Sequence, residues 1–174
     1  KIHKKINTKI LTQILNKLKK IKNIDSNNSV AICLLNSFIN PENEYILKNI
    51  ICKIFPDVNI SLSNEISPLI REYERMSTTI CNAYIQPLAN NYLDNIVLNL
   101  VKNKYKSPLR LMLSSGGITS VEIAKKFPIR LIESGPAAGA IAAAYLGKKS
   151  GYKELFSFDM GGTTAKMCVI SNGK

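Results

Sequence analysis

Ser157–Lys166 reads SFDMGGTTAK, and the reading of this stretch decides the fold. Phe156 and Phe158 alternate with polar residues and lead to Asp159; two glycines, two threonines and a lysine follow. Alternation at period two predicts a strand, and Gly161-Gly162 a tight corner. With the next apolar run, Lys153–Lys174 reads as a strand, a corner and a returning strand. A type I′ turn accounts for the glycines alone. It leaves Asp159, Thr163 and Thr164 unexplained. A phosphate chain with its metal accounts for all of them. Bare glycine lets backbone N–H groups approach an anion, and the threonines add hydroxyl donors. Asp159 repels a phosphate unless a divalent cation sits between them. The stretch is not a P-loop, because GxxxxGK[ST] is absent.

Upstream lies ESGPAAGAIAAAYLG, Glu133–Gly147, a helix built mainly of alanine. Its small side chains suit either a well-packed core or the close approach of a neighbouring backbone. Farther upstream, PIRLIESG (128–135) reads as a strand, TSVEIAKKF as a short helix, and PLRLMLSSGGI as a strand ending in a donor-rich loop, Ser114, Ser115, Gly116 and Gly117. Such a loop is either a capped turn or a ligand loop at a strand end. Residues 67–105 read as mostly helical, interrupted near Pro87. In that segment Arg71 and Arg75 fall one helical turn apart on one face, and Glu72 is placed to pair with Arg75. An ion-paired structural helix and a substrate or interlobe role both fit.

SVAICLLNSF (29–38) predicts a buried strand. NPENEYILKNIICKIF predicts a helix in which Asn40 caps, Pro41 takes the first position, and Glu42 and Glu44 favour the positive end. PDVNISLSNEI returns as a strand. Strand, helix and strand in turn define an α/β organisation. Ile6, Ile10, Ile14, Leu18 and Ile21 predict an amphipathic helix at the start.

The 174 residues suffice for one domain or two small lobes, with 45% hydrophobic and 21% charged residues. No apolar run approaches the ~18 residues of a membrane span. The net charge of +12 is concentrated in the first 22 residues, which hold eight lysines and no acid. A solvated helix face or a basic patch would both produce it. Only four arginines and no interleaved aromatics in that region argue against nucleic acid. Cys33, Cys52, Cys81 and Cys168 are too far apart in sequence for a CxxC pair, and with no export signal a reducing cytoplasm is expected. His3 is assigned no role.

The alanine helix followed by the acidic Gly-Gly-Thr hairpin resembles the connect 1 and phosphate 2 elements of the actin, sugar kinase and heat-shock chaperone ATPases. VAICLLNSFINPENE, LSNEISPLIREYERMSTTICNAYIQP, LMLSSGGITS, ESGPAAGA and FDMGGTTAKMCVI occur in the order found in the hydantoinase A and 5-oxoprolinase family. The resemblance runs from about Val30 to the end. GGTTAK is more similar to the N-methylhydantoinase A branch than to the 5-oxoprolinase branch.

That resemblance implies an incomplete ribonuclease H-like (actin-like ATPase) α/β fold. Residues 1–64 would close an N-terminal hydantoinase/oxoprolinase lobe, and 65–174 would begin the catalytic lobe. It implies ATP and Mg2+ as cofactors, a cyclic amide or imide substrate, and a hydantoinase B-like subunit or domain as partner. Asp159 would hold Mg2+ through water, and Gly161, Gly162, Thr163 and Thr164 would cradle the phosphates. Lys166 would reach a phosphate or remain a solvated strand lysine. Ser114, Ser115, Gly116, Gly117, Ser134, Gly135, Arg71 and Arg75 are the substrate or interlobe candidates. A non-catalytic nucleotide-binding or interaction module of the same fold is the alternative. The family's earlier phosphate 1 loop has no counterpart here, there is no initiator Met, and the sequence stops soon after the hairpin. The expectation is a fragment that does not turn over ATP alone.

Overall fold

A computed structural model describes residues 7–18, 20 and 28–173. The chain forms two compact units, 1–105 with 125–129, and 106–124 with 130–174.

In the first unit, β1 (Ser29–Ile32) and β2 (Asn59–Leu62) pair in parallel, Ser29 opposite Asn59 and Ile32 opposite Leu62. The crossover between them is α2 (Glu42–Ile54). Its start follows the expected capping chemistry: Asn40 Oδ1 accepts the Glu42 N–H at 3.0 Å, and Pro41 already has helical dihedrals. Leu47 and Ile51, one turn apart on α2, meet Ile32, Val58 and Leu62 in the core. Each such side chain contributes roughly 1.5–3 kcal/mol by leaving water. The run predicted as a strand to Phe38 ends at Ile32, because residues 35–39 turn.

α1 (Thr8–Leu18) sets Leu11 and Leu18 against this core. Ile10, expected on the apolar stripe, is exposed. The expected positions Ile6 and Ile21 lie outside the described residues.

A single-turn helix α3 (Ser63–Ile66) precedes α4 (Glu72–Lys102), which packs on both strands. Pro87 does not interrupt α4. Proline costs a helix interior roughly 3 kcal/mol; buried residues on both sides of it, Ala83 and Gln86 before and Leu93 after, hold the helix through that position. The buried stripe is largely polar: Arg75, Thr79, Asn82 and Gln86. Asn82 donates to Ser61 Oγ and the Lys126 carbonyl and accepts the Ile129 N–H, and Gln86 donates to the Lys125 carbonyl.

Glu44 is the other buried polar centre. Its Oε1 accepts the Leu34 N–H at 2.9 Å and the Ser63 hydroxyl at 2.6 Å, and its Oε2 accepts the Asn64 N–H at 3.1 Å. The sequence suggested only a favourable helix-end charge at this position.

The second unit starts with an antiparallel hairpin, β3 (Arg110–Met112) and β4 (Ile118–Ser120), followed by α5 (Val121–Lys126), which the two units share. The predicted strand over 128–135 is instead a 3₁₀ turn, Pro128–Leu131, leading into α6 (Ser134–Lys149). Its backbone is satisfied without a strand partner: the Arg130 carbonyl accepts both the backbone N–H and the hydroxyl of Ser114, at 2.8 and 3.1 Å. α6 packs on the hairpin of β5 (Glu154–Met160) and β6 (Ala165–Ser171). Among the described residues no helix is long and apolar enough to cross a membrane.

Close approach to α6 occurs at Gly147, where a Cβ would collide with the end of the Leu155 side chain, and at Gly116, where it would lie 2.6 Å from Ile141 Cδ1. Nothing lies within 4 Å of a Cβ at Gly139. Gly139→Ala is therefore expected to raise stability by about 0.5–1 kcal/mol through helix propensity. Gly147→Ala should lower it by roughly 1 kcal/mol, with Leu155 swinging aside. Urea denaturation of the two variants checks the opposite signs.

Candidate functional site

β5 and β6 run in register from Glu154 opposite Ser171 to Met160 opposite Ala165. The corner is the four residues 161–164, closed by the Gly161 N–H donating to the Thr164 carbonyl at 3.0 Å. It is not a type I′ turn, and neither Gly161 nor Gly162 has a positive φ. Nor does packing demand glycine. A Cβ at Gly162 would meet nothing within 4 Å, and at Gly161 only the Thr164 carbonyl at 3.9 Å. The chain itself has no need of two bare positions here, which leaves the space beside them open for something else. Thr163 and Thr164 are exposed, and their hydroxyls have no hydrogen bond among the described residues.

Asp159 lies directly across from Lys166. Residues so placed point to the same face with Cβ atoms about 5 Å apart. They nonetheless do not pair: Lys166 Nζ binds Glu133 Oε2, from just before α6. Asp159 is exposed, with no ion pair or hydrogen bond among the described residues. Asp159, Lys166, Ser157, Cys168, Met167 and Pro136 line a cavity of about 80 Å³.

Ser134 and Gly135 open α6, where no side chain caps the free N–H groups. Glu133, at the cap position, has φ 62° and ψ 18° and turns its carboxylate to Lys166 instead.

The Ser114–Gly117 loop is a hairpin turn rather than a loop at the end of a parallel strand. Leu113 N–H donates to the Gly117 carbonyl at 2.7 Å, the Gly116 N–H to Leu113 at 2.9 Å, and Gly116 has φ 89°. A three-residue hairpin loop ending in a left-handed glycine accounts for the motif. Both donors of Ser114 are taken by Arg130, while the Ser115 side chain stays exposed and without a hydrogen bond among the described residues.

Arg71 and Arg75 do not share a face. Arg71 precedes α4, with its side chain 78% exposed and 3.4 Å from Glu74. Arg75 is fully buried. It donates to the Leu34 carbonyl at 2.7 Å and the Leu69 carbonyl at 2.9 Å, lies over the Phe38 ring, and stands 3.9 Å from Glu72 as the spacing suggested. Those contacts are structural.

Sequence reading missed Glu133 as a partner of Lys166. The two are 33 residues apart, and the one local hint is an acid that begins no helical charge pattern.

The hydantoinase/oxoprolinase family model matches residues 75–174. An uncharacterized protein of Methanocaldococcus jannaschii is 45% identical over 82% of this chain and 21% of its own length. The caprolactamase subunit alpha of Pseudomonas jessenii is 30% identical over 84% of this chain and 21% of its own. A nucleotide-free acetone carboxylase structure, from work on ATP-dependent acetone carboxylation, superposes with a TM-score of 0.74 at 32% identity, over 84% of this chain and 21% of that one. The chain thus spans about a fifth of the length of these relatives. Fold and matches together define a mixed α/β chain akin to ATP-dependent enzymes. It belongs to the hydantoinase/oxoprolinase family.

Proposed function

We propose that the chain supplies the phosphate-binding hairpin of an ATP-dependent cyclic amide or imide hydrolase, of the kind that opens hydantoin, oxoproline or lactam rings. The observation that carries this reading is the corner itself: an unpaired carboxylate at Asp159 beside two glycines that neither dihedral angle nor packing requires. The fold in this reading is the ribonuclease H-like fold of the actin-type ATPases, with residues 1–64 closing one lobe and 65–174 beginning the next.

The residues present suit Mg2+ and ATP. No group of three His, Cys, Asp or Glu side chains clusters among the described residues. Mg2+ needs no such cage, since it is usually held by one or two carboxylates, waters and the phosphates themselves. Asp159 would hold the ion through water. Gly161 and Gly162 would let the backbone close on the phosphates, and Thr163 and Thr164 would donate to them. Lys166, engaged by Glu133, is assigned to Asp159's surroundings rather than to a phosphate. Ser134 and Gly135 offer the free N–H groups of α6 on the same unit. Bound nucleotide would supply the γ-phosphoryl group that makes the resonance-stabilised ring carbonyl a better electrophile. The protein's part is positioning and charge complementarity. The name of the caprolactamase subunit alpha supports a partner subunit, in this reading of hydantoinase B type; the reading places the complex in the cytoplasm.

Gly162→Ala tests the reading without disturbing the fold, because its Cβ meets nothing in the free chain. Its urea midpoint should match the parent's, while ATP affinity in Mg2+ falls about tenfold. Equal affinity in the two proteins would remove the corner from the nucleotide site.

A further inference from the structure

We propose that Glu133 is a positioning residue: by holding Lys166, it keeps the Asp159 carboxylate free for a divalent cation. The inference rests on the reading of the hairpin as a metal-nucleotide site and adds a residue to it.

Three observations carry it. Lys166 is directly opposite Asp159 in the β5–β6 register, so the hairpin itself sets a carboxylate across from it on the same face. Oppositely charged residues in that position attract one another. Lys166 nevertheless binds Glu133, and Asp159 is left without a partner among the described residues. Finally, Glu133 occupies a left-handed backbone conformation, φ 62°, that costs a non-glycine residue energy and that asparagine or glycine would adopt more cheaply. Its side chain does not cap α6 in return. Among the described residues, the carboxylate's one hydrogen bond or ion pair is the one that diverts Lys166.

The charge arithmetic gives this a consequence. A lysine ammonium against Asp159 would cancel the charge that attracts the cation and would itself repel the cation at short range. Three charged groups therefore share this corner, Glu133, Lys166 and Asp159, and their pairing order decides that the acid left over is Asp159. Removing the Glu133 charge releases Lys166 to the acid across the hairpin.

The test is titration of ATP into the 15N-labelled chain, once with excess Mg2+ and once with EDTA, following the Gly161 and Gly162 amides. The quantity read is the ratio of the two affinities. Glu133→Gln is expected to cut that ratio five- to tenfold while leaving the EDTA affinity in place. Glu133→Gln with Lys166→Met should restore the ratio, since no ammonium remains to cover Asp159. An unchanged ratio in Glu133→Gln, or a loss that the double variant does not repair, overturns the positioning role. If instead the parent chain shows no Mg2+ dependence, or Asp159→Asn leaves that dependence intact, the metal-nucleotide reading fails first and takes this role with it.

Discussion

Glu44→Ala is expected to lower the stability of the first unit by about 3–5 kcal/mol. The carboxylate is fully buried and accepts three hydrogen bonds, from the Leu34 N–H, the Ser63 hydroxyl and the Asn64 N–H. Truncation removes the acceptor and leaves the half-buried Leu34 and Asn64 N–H groups without one, while the Ser63 hydroxyl keeps only Ser37 Oγ, 3.1 Å away. A hydrogen bond to a charged group is worth about 1.5–3 kcal/mol, and stranding a buried donor costs a further part of its desolvation. The three do not add fully, but their sum is a large fraction of the 5–15 kcal/mol that holds an ordinary domain. Glu44→Gln should lose about half as much: the amide oxygen can replace Oε1, while its NH2 faces the Asn64 N–H, donor against donor. Arg71→Ala is the control, an exposed ion pair whose loss should stay within about 0.5 kcal/mol. Urea unfolding measures all three. Hydrogen exchange adds a local readout, because the Leu34 and Asn64 amides should exchange faster in Glu44→Ala than the amides of β2. A loss below about 1 kcal/mol would mean that water replaces the carboxylate and that the site is not a sealed one.

Arg75 shows why that centre was hard to see from the sequence. It donates to the carbonyl of Leu34, the residue whose N–H Glu44 accepts, so one loop residue is held at both its polar groups by side chains ten and forty-one positions away. Hydrophobic periodicity detects buried apolar stripes. On α4 the buried stripe is Arg75, Thr79, Asn82 and Gln86, while Tyr73, Ile80, Tyr84, Leu88 and Tyr92 stay exposed. With Ala83 and Leu93 the buried apolar residues of this helix, the pattern that reports burial elsewhere is largely inverted on it.

The β1–α2–β2 unit was legible because its signals are local: a capping Asn40, Pro41 after it, and Leu47 and Ile51 at helical spacing. α6 and the hairpin were legible for the same reason. The 128–135 segment was misread as a strand because its apolar residues carry no sign of the Ser114 donors that satisfy it. In the hairpin, alternation told correctly which residues share a face. It did not tell which face is covered. Leu155 and Ile170 turn to the covered side, and Phe156, Phe158, Met160, Met167 and Val169 remain exposed. Asp159, Gly161 and Gly162 stood out because a corner's chemistry fits in five residues; Glu133 did not, because its partner is far off in sequence.

Asp159→Asn is expected to lower ATP-coupled ring opening by two to three orders of magnitude in a polypeptide of the relatives' full length that carries this chain. The substitution is nearly isosteric. The Asp159 side chain is exposed and makes no hydrogen bond or ion pair among the described residues, so the fold has nothing to lose and stability should change by less than about 0.5 kcal/mol. What changes is charge. A neutral amide opposite Lys166 no longer offset a divalent cation, and an electrostatic contribution of this kind to phosphoryl transfer is typically worth about 10²–10³ in rate. The measurement is ADP release together with ring-opened product, for 5-oxoproline, hydantoin and caprolactam in turn, at an Mg2+ concentration that just saturates the parent. Raising Mg2+ should recover part of the loss if the carboxylate acts by holding the ion through water, because the phosphates still bind it. Full activity in Asp159→Asn, with ADP and product still formed one for one, would separate the hairpin from the chemistry and leave the corner a structural turn. A loss of activity matched by a loss of folding would show instead that the fold leans on that carboxylate, and would likewise make the corner structural.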